Sequence, residues 1–311
     1  MRLTVIIPTH NRCSLLHEAI ESVVSQSLAG AEVIVCDDGS TENMAAVRDH
    51  HFSGNVRVTW SRTETCQGAQ VARNRGLTRA QGEAVLFMDS DDVLADAGVL
   101  PLIRALEHSP QLDYVFGKVI QTDARLQPLA ENAAVGAPFS ESPAEVAGYH
   151  WHTMGAVYRR SYLEKVGPWN EALTGSQDWE YQARVKLAGG RGQFVDTVVG
   201  YWRHHGGSRV GTQAFRPDYV RSVMLACDSI LQHARQAGRG DWQLERRLAK
   251  KLILHALEWG ANGHSSERRQ CLAQAAQTVP GDRLYRALIQ GLQCSPRFMD
   301  AWLWKKIVQK R

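Results

Sequence analysis

Short apolar runs alternate with helix-spaced segments along the first ninety residues. The runs at 3–8, 32–36, 56–60 and 84–88 are short and rich in apolar and β-branched residues, so they read as buried strands. Between the first two, Leu15, Leu16, Ala19, Ile20, Val23 and Val24 recur at helical spacing and make one apolar face. The stretches 41–50 and 69–80 read as further helices. Strand, helix, strand, helix in this order predicts right-handed crossovers and a parallel sheet. Beyond 92 the pattern loosens. A helix is expected over 97–108, a strand over 114–121, and an irregular loop over 122–150 with Pro128, Pro138 and Pro143. Late strands at 153–158 and 198–202 are expected to be antiparallel, with a helix over 178–187 between them. From about 215 onward only helices are expected, with turns near 238–240, 260–263 and 280–281. No repeat is visible.

In an open parallel sheet, ligands bind beyond the carboxyl ends of the strands. Three tips carry polar residues: Thr9-His10-Asn11-Arg12, Asp37-Asp38-Gly39-Ser40 and Asp89-Ser90-Asp91-Asp92. In VLFMDSDD (85–92) a buried strand runs straight into three carboxylates. Like charges so crowded are unfavourable unless a cation joins them, and a divalent metal takes oxygen ligands. A plainer reading makes these acids helix N-caps and D-D-G-S a simple turn. A phosphatase of the haloacid dehalogenase type also ends a strand in D-x-D, but Asp92 and Val93 stand where its Gly-Thr would be. A receiver domain would need an acceptor aspartate after 56–60, where Ser61-Arg62 stands instead.

The chain has 311 residues, 44% hydrophobic and 22% charged, an ordinary globular composition. No 18-residue uncharged apolar window is present, so no spanning helix is expected. The opening MRLTVIIP has too short an apolar run for a signal peptide and reads as the first strand of a cytoplasmic protein. Six cysteines, with no C-x-x-C, are expected to be reduced thiols. Residues 1–211 hold 19 Lys/Arg and 24 Asp/Glu, giving −5, whereas 212–311 hold 17 and 8, giving +9. A basic tail of this kind suits an anionic partner. Its dispersed charges and lack of a known motif argue against nucleic acid.

The ordered set IIPTHNR, CDDGST, GAQVARNRGL and AQGEAVLFMDSDD resembles the family 2 glycosyltransferases of GT-A fold. Later stretches add to the likeness: VGPWNE (166–171), GSQDWE (175–180) with Arg184, and Arg203-His204-His205-Gly206. The resemblance covers about 3–210. It implies an α/β, Rossmann-like, mostly parallel sheet flanked by helices, followed by a C-terminal helical extension. Domains are then expected at 1–211, catalytic, and 212–311, basic and helical. The nucleotide half of the first would be about 1–95 and the acceptor half about 96–211.

The same resemblance implies site roles. Pro8, Thr9, His10 and Asp38 would hold the nucleoside, with His10 standing where a Tyr is common. Arg73, Asn74 and Asp89 would bind the donor. Asp91, with His205 (His204 as runner-up), would hold Mg²⁺ or Mn²⁺ on the diphosphate. Asp178 would be the general base, preceded by Gln177 where the family has an acid, and Trp179 and Glu180 would face the acceptor. The implied reaction inverts the anomeric carbon of a nucleotide sugar, UDP favoured, onto a glycan or lipid-linked hydroxyl. The tail FMDAWLWKKIVQKR (298–311) could lie on an anionic membrane surface, placing the protein at the inner face of the cytoplasmic membrane. A non-catalytic sugar-nucleotide binder is the rival of another class.

Overall fold

The computed structural model describes the chain except Ser27, 131–132, 141, 207–216, 296 and 309–311. The expected boundary at 211/212 and the last three residues of the basic tail lie outside the described residues. The chain divides into two compact units. One comprises Met1–Phe139, Tyr149–Glu171 and Ala188–Gly207; the other comprises Ser140–Gly148, Ala172–Leu187 and Ser208–Arg311.

The first unit holds a nine-stranded sheet: β1 (Leu3–Thr9), β2 (Glu32–Asp37), β3 (Arg57–Arg62), β4 (Ala84–Phe87), β5 (Val93–Leu94), β6 (Tyr114–Thr122), β7 (Ala134–Val135), β8 (Ala156–Arg159) and β9 (Gly192–Arg203). Its spatial order is β3-β2-β1-β4-β8-β6-β9-β5, with β7 beside β6. The first four strands are parallel. The expectation of a mostly parallel sheet holds as far as β4. There β8 pairs antiparallel, and β6 pairs antiparallel with β8 and parallel with β9. The expectation for 198–202 is therefore half met: β9 is antiparallel only to the two-residue β5. Nothing in so short a run as Val93–Leu94 could announce a strand.

The helices of this unit are α1 (Cys13–Val24), α2 (Ala45–Arg48), α3 (Ala69–Leu77), α4 (Leu100–His108) and, numbered in chain order, α6 (Arg160–Val166). Helix α1 buries Leu16, Ala19, Ile20 and Val23 against Val5, Ile7, Val33 and Val35 of the sheet. On α3 a side chain at Gly76 would collide with Ile6, so the glycine lets helix and strand approach. The helix expected over 41–50 shrinks to α2. Asn11 Oδ1 accepts the amides of Thr41 (2.8 Å) and Glu42 (2.9 Å), which ties that backbone to the β1 tip instead.

The second unit holds α5 (Pro143–Val146), α7 (Gln177–Leu187), α8 (Pro217–Gln236), α9 (Trp242–Ala261), α10 (Ser265–Thr278), α11 (Arg283–Cys294) and α12 (Arg297–Val308). Its core is a separate apolar cluster including Leu173, Ala183, Ile230, Leu252, Trp259, Leu272 and Ile289. Asp241 and Asp282 cap α9 and α11 by accepting the amides of Leu244 and Tyr285. No described helix is long and apolar enough to cross a membrane.

Candidate active site

The strand tips of the first unit assemble a charged edge. Asp37 Oδ1 accepts the Ser40 amide at 2.9 Å, closing the D-D-G-S turn. Gly39 sits at φ +66°, and a Cβ there would lie 2.5 Å from the Thr65 backbone. This is a turn that glycine makes possible. Asp38, only 3% exposed, accepts the amides of Gln67 (2.8 Å) and Gly68 (2.7 Å), and Thr63 and Cys66 also donate to it. Its carboxylate thus shapes the loop leading into α3.

His10 is half-buried. Its Nδ1 donates to the Asp38 carbonyl at 2.8 Å, and its Nε2 accepts from Asn11 at 3.0 Å. Pro8 and Thr9 are buried at the end of β1, and the Thr9 carbonyl accepts the Asp38 amide at 2.8 Å. Thr9, His10 and Asp38 therefore form one hydrogen-bonded corner at the tips of β1 and β2, with Pro8 just before it in the strand.

The acidic tip of β4 is paired on all sides. Arg73, on α3 and 5% exposed, places Nη2 2.5 Å from Asp89 Oδ1 and lies over the Trp169 ring at 4.5 Å. Burial pushes the Asp89 carboxyl up, but Arg73, His152 and Arg12 outweigh it and hold the group below its ordinary pKa. Asp91 Oδ2 meets two partners: Arg12 Nη1 at 2.7 Å and His205 Nε2 at 2.9 Å. Asp92 Oδ1 accepts the Arg203 amide at 3.0 Å, fixing the end of β9. His204 is the other neighbour of that strand end; its amide donates to the Thr122 carbonyl and its ring leans on Trp202. Of the two histidines, His205 is the one on the aspartate.

Asp89, Asp92 and His152 bring ligand atoms within 4.8 Å of one another. Carboxylates and imidazoles suit a divalent ion such as Mn²⁺. The donor set of this edge fits the implied metal, with Asp89, Asp91, Asp92, His152 and His205 available to it. Asp92 and Arg12 stood in the polar strand tips read from the sequence without individual roles, and His152 was not among the candidates. His152 follows a proline-rich loop with no periodicity, so it carried no signal. Arg12 lay in a quoted motif, but only the fold shows that it faces Asp91.

Asn74 has another task. Its amide donates to Trp169 O (2.9 Å) and Glu171 Oε1 (2.8 Å), and its carbonyl accepts the Trp169 amide at 2.7 Å. It fastens the VGPWNE stretch, which includes the ring under Arg73.

The remaining candidates belong to the second unit. Asp178 lies in the first turn of α7, half-buried, with Oδ1 accepting its neighbour's amide at 2.8 Å. Trp179 is 5% exposed, donates to the Ala147 carbonyl at 2.7 Å, and carries the Lys251 ammonium 4.1 Å above its ring. Glu180 is fully buried in a fork with Arg184 (2.7 and 3.0 Å) and also accepts from Ser229 at 2.6 Å. As placed, both side chains of the acceptor pair are parts of the helical core.

Residues 4–167 match the family model described as Glycosyl transferase family 2. The chain belongs to that family. A stretch of 114 residues is 31% identical to an uncharacterized glycosyltransferase of Haemophilus influenzae, covering 37% of each chain. A stretch of 185 residues is 30% identical to a PGL/p-HBAD biosynthesis glycosyltransferase of Mycobacterium bovis, covering 58% of this chain and 68% of that one. The crystal structure of S. aureus TarS 1–349 in complex with UDP-GlcNAc superposes with a TM-score of 0.72. The identity there is 18%, covering 100% of this chain and 93% of that one. A mannosyltransferase from Pyrobaculum calidifontis, in complex with GDP-Man and Mn²⁺, gives a TM-score of 0.53 at 18% identity, over 98% of this chain and 84% of that one. The fold of this family 2 member is GT-A, with a helical C-terminal region.

Proposed function

We propose that this chain transfers a sugar from a nucleoside-diphosphate sugar to a hydroxyl of a glycan or lipid-linked acceptor, inverting the anomeric centre. The observation that carries the reading is the convergence of Asp89, Asp91, Arg12, Arg73 and His205 on one sheet edge. Two carboxylates, two guanidiniums and an imidazole there can hold a metal and a diphosphate together. Pro8, Thr9, His10 and Asp38 form the corner beside them for the nucleoside. Asp38 acts by shaping the 63–68 loop, and Asn74 acts through the Trp169 stretch. A UDP-sugar is the favoured donor, in keeping with the UDP-GlcNAc held by the structurally similar TarS.

A bound Mg²⁺ or Mn²⁺ would supply Lewis-acid stabilisation of charge on the departing diphosphate. Asp178 would take the proton from the acceptor hydroxyl as its oxygen attacks from the face opposite the nucleotide. One base and one displacement give inversion without a covalent intermediate, by analogy with inverting glycoside hydrolysis. Trp179 and Glu180 are read here as positioning residues that fix the first turn of α7. The catalytic domain would run through about 211, with the basic helical region after it. Trp302, exposed with Lys305 and Lys306 on α12, would give that region a peripheral contact with anionic membrane at the cytoplasmic face.

The test is calorimetric titration of UDP, GDP and dTDP, with and without Mn²⁺, into the wild type and Asp91→Asn. Metal-dependent binding of one nucleotide, lost in the variant, is expected. Binding of none of them would overturn the donor site. For the membrane contact, co-sedimentation with anionic liposomes should fall when 296–311 are deleted; unchanged sedimentation would remove it.

A further inference from the structure

Three ligand-bearing side chains meet on the first unit in a cluster none of whose residues belongs to the strand-tip edge. His17 and Glu21 stand four residues apart on α1 and share one face of the helix. His50 comes from the segment after α2. The ligand atoms of His17, Glu21 and His50 all lie within 4.8 Å of one another. His50 Nε2 and Glu21 Oε1 are 3.6 Å apart, beyond a good hydrogen bond. Two ligands on a tetrahedral zinc at ~2.0–2.1 Å sit about 3.3 Å from each other, so this spacing is close to what an ion between them requires.

Phe52 supplies the wall. It is buried, and its ring lies 5.4 Å from the His17 ring and 4.7 Å from the His50 ring. The two imidazoles meet edge to face at 4.6 Å. An aromatic backing limits the ways both rings can turn, which prearranges their nitrogens. The His50 and Glu21 side chains are 41% and 44% exposed, so an ion has access and a fourth position can be taken by water.

We infer that His17, Glu21 and His50 form a second metal site, for a borderline divalent transition ion such as Zn²⁺. Two imidazoles and one carboxylate are a zinc-type donor set, whereas Mg²⁺ prefers oxygen alone. The ion would clamp α1 to the 49–52 segment. Because α1 starts one residue after Arg12, the clamp would bear on the helix that directly follows one partner of Asp91. This inference does not rest on the transferase reading.

The experiment is zinc calorimetry on the full chain stripped with chelator, comparing the wild type with His17→Ala, His50→Ala and His152→Ala. One equivalent of zinc is expected to persist in His152→Ala, which alters only the strand-tip cluster. The same equivalent should weaken at least tenfold in His17→Ala and in His50→Ala. Excess Mg²⁺ should not displace it. Cobalt in place of zinc should show no near-ultraviolet thiolate band, since the cluster contains no cysteine. His50 is exposed, so His50→Ala should keep the metal-free melting temperature and lose only its rise with zinc. Equal zinc binding in the wild type and both α1-site variants, or a thiolate band that survives in them, would overturn the site.

Discussion

Both units bury charge, but they place it differently. In the sheet unit the paired charges gather at strand tips within reach of solvent: side chains of Arg12 and Asp89 are 25% and 32% exposed. The helical unit has exposed pairs such as Arg235–Glu245, but it also seals two inside. Glu180 and Arg184 are 1% and 5% exposed, and Arg268 and Asp300 are 6% and 0%. A pair at an accessible edge can exchange one partner for an incoming ion or phosphate. A sealed pair can only fix structure, within α7 for Glu180–Arg184 and between α10 and α12 for Arg268–Asp300, because parting it leaves a charge without water or counter-ion. On the proposed function, the difference separates residues that could meet a ligand from residues that only hold structure.

Substitutions can break this contrast. The largest effect is expected at Asp178, the one candidate of the helical unit with a proposed chemical role. Asp178→Asn should lower kcat by roughly 10²–10⁴-fold and leave nucleotide affinity and melting temperature near those of the wild type. Unchanged turnover would remove the proposed base. Next, Glu180→Ala strands the buried Arg184 and should cost about 3–5 kcal/mol in urea unfolding, while nucleotide affinity of the folded protein stays the same. A loss of affinity without a loss of stability would place Glu180 in the ligand site after all. Asn74→Ala should cost about 1–3 kcal/mol. It should also weaken donor binding modestly by loosening the Trp169 ring under Arg73, as read by calorimetry.

The smallest expected effect is a pH dependence from Lys186. This lysine is 5% exposed and donates to the carbonyls of Gly148 (2.7 Å) and Glu145 (3.2 Å). Burial pulls its pKa down to about 7, with Glu145 opposing. Between about pH 7 and the ordinary lysine range, the unfolded chain binds the proton and the folded chain does not. Stability from this group therefore rises with pH across that window and is lowest below it, where the buried ammonium must stay charged. Urea midpoints from pH 6.5 to 9 should rise in the wild type and flatten in Lys186→Met. Parallel curves would contradict the burial effect.

The sequence announced the parts of the sheet unit whose signals are local. Apolar runs gave β1, β2 and β4 to within a residue or two, and the acids read after β2 and β4 do gather at one edge of the sheet. Partners brought from afar were silent. Nothing near His152 or Arg12 says that they face the β4 acids, because that depends on where β8 and α1 pack. Pattern also misread polar residues diverted to tertiary bonds. Thr41 and Glu42 look like the start of a helix, yet Asn11 takes their amides. Trp179 and Glu180 looked like an acceptor surface because they follow Asp178 in a motif. Their burial depends on α8 and α9, which add Ser229 and Lys251.

The strand order has a consequence for how the protein is made. Asp91 meets His205 across 114 residues of chain, and β4 finds its antiparallel neighbour only after β8 exists. As the chain leaves the ribosome, the first four strands can collapse early, but their acidic tip stays open to solvent until β9 is in place. Loop closure over such a span is slow compared with hairpin formation. The nascent chain is thus expected to gain the proposed nucleotide binding in one late step, once β9 and His205 have emerged, and truncations ending before His205 should fold in part yet bind no nucleotide.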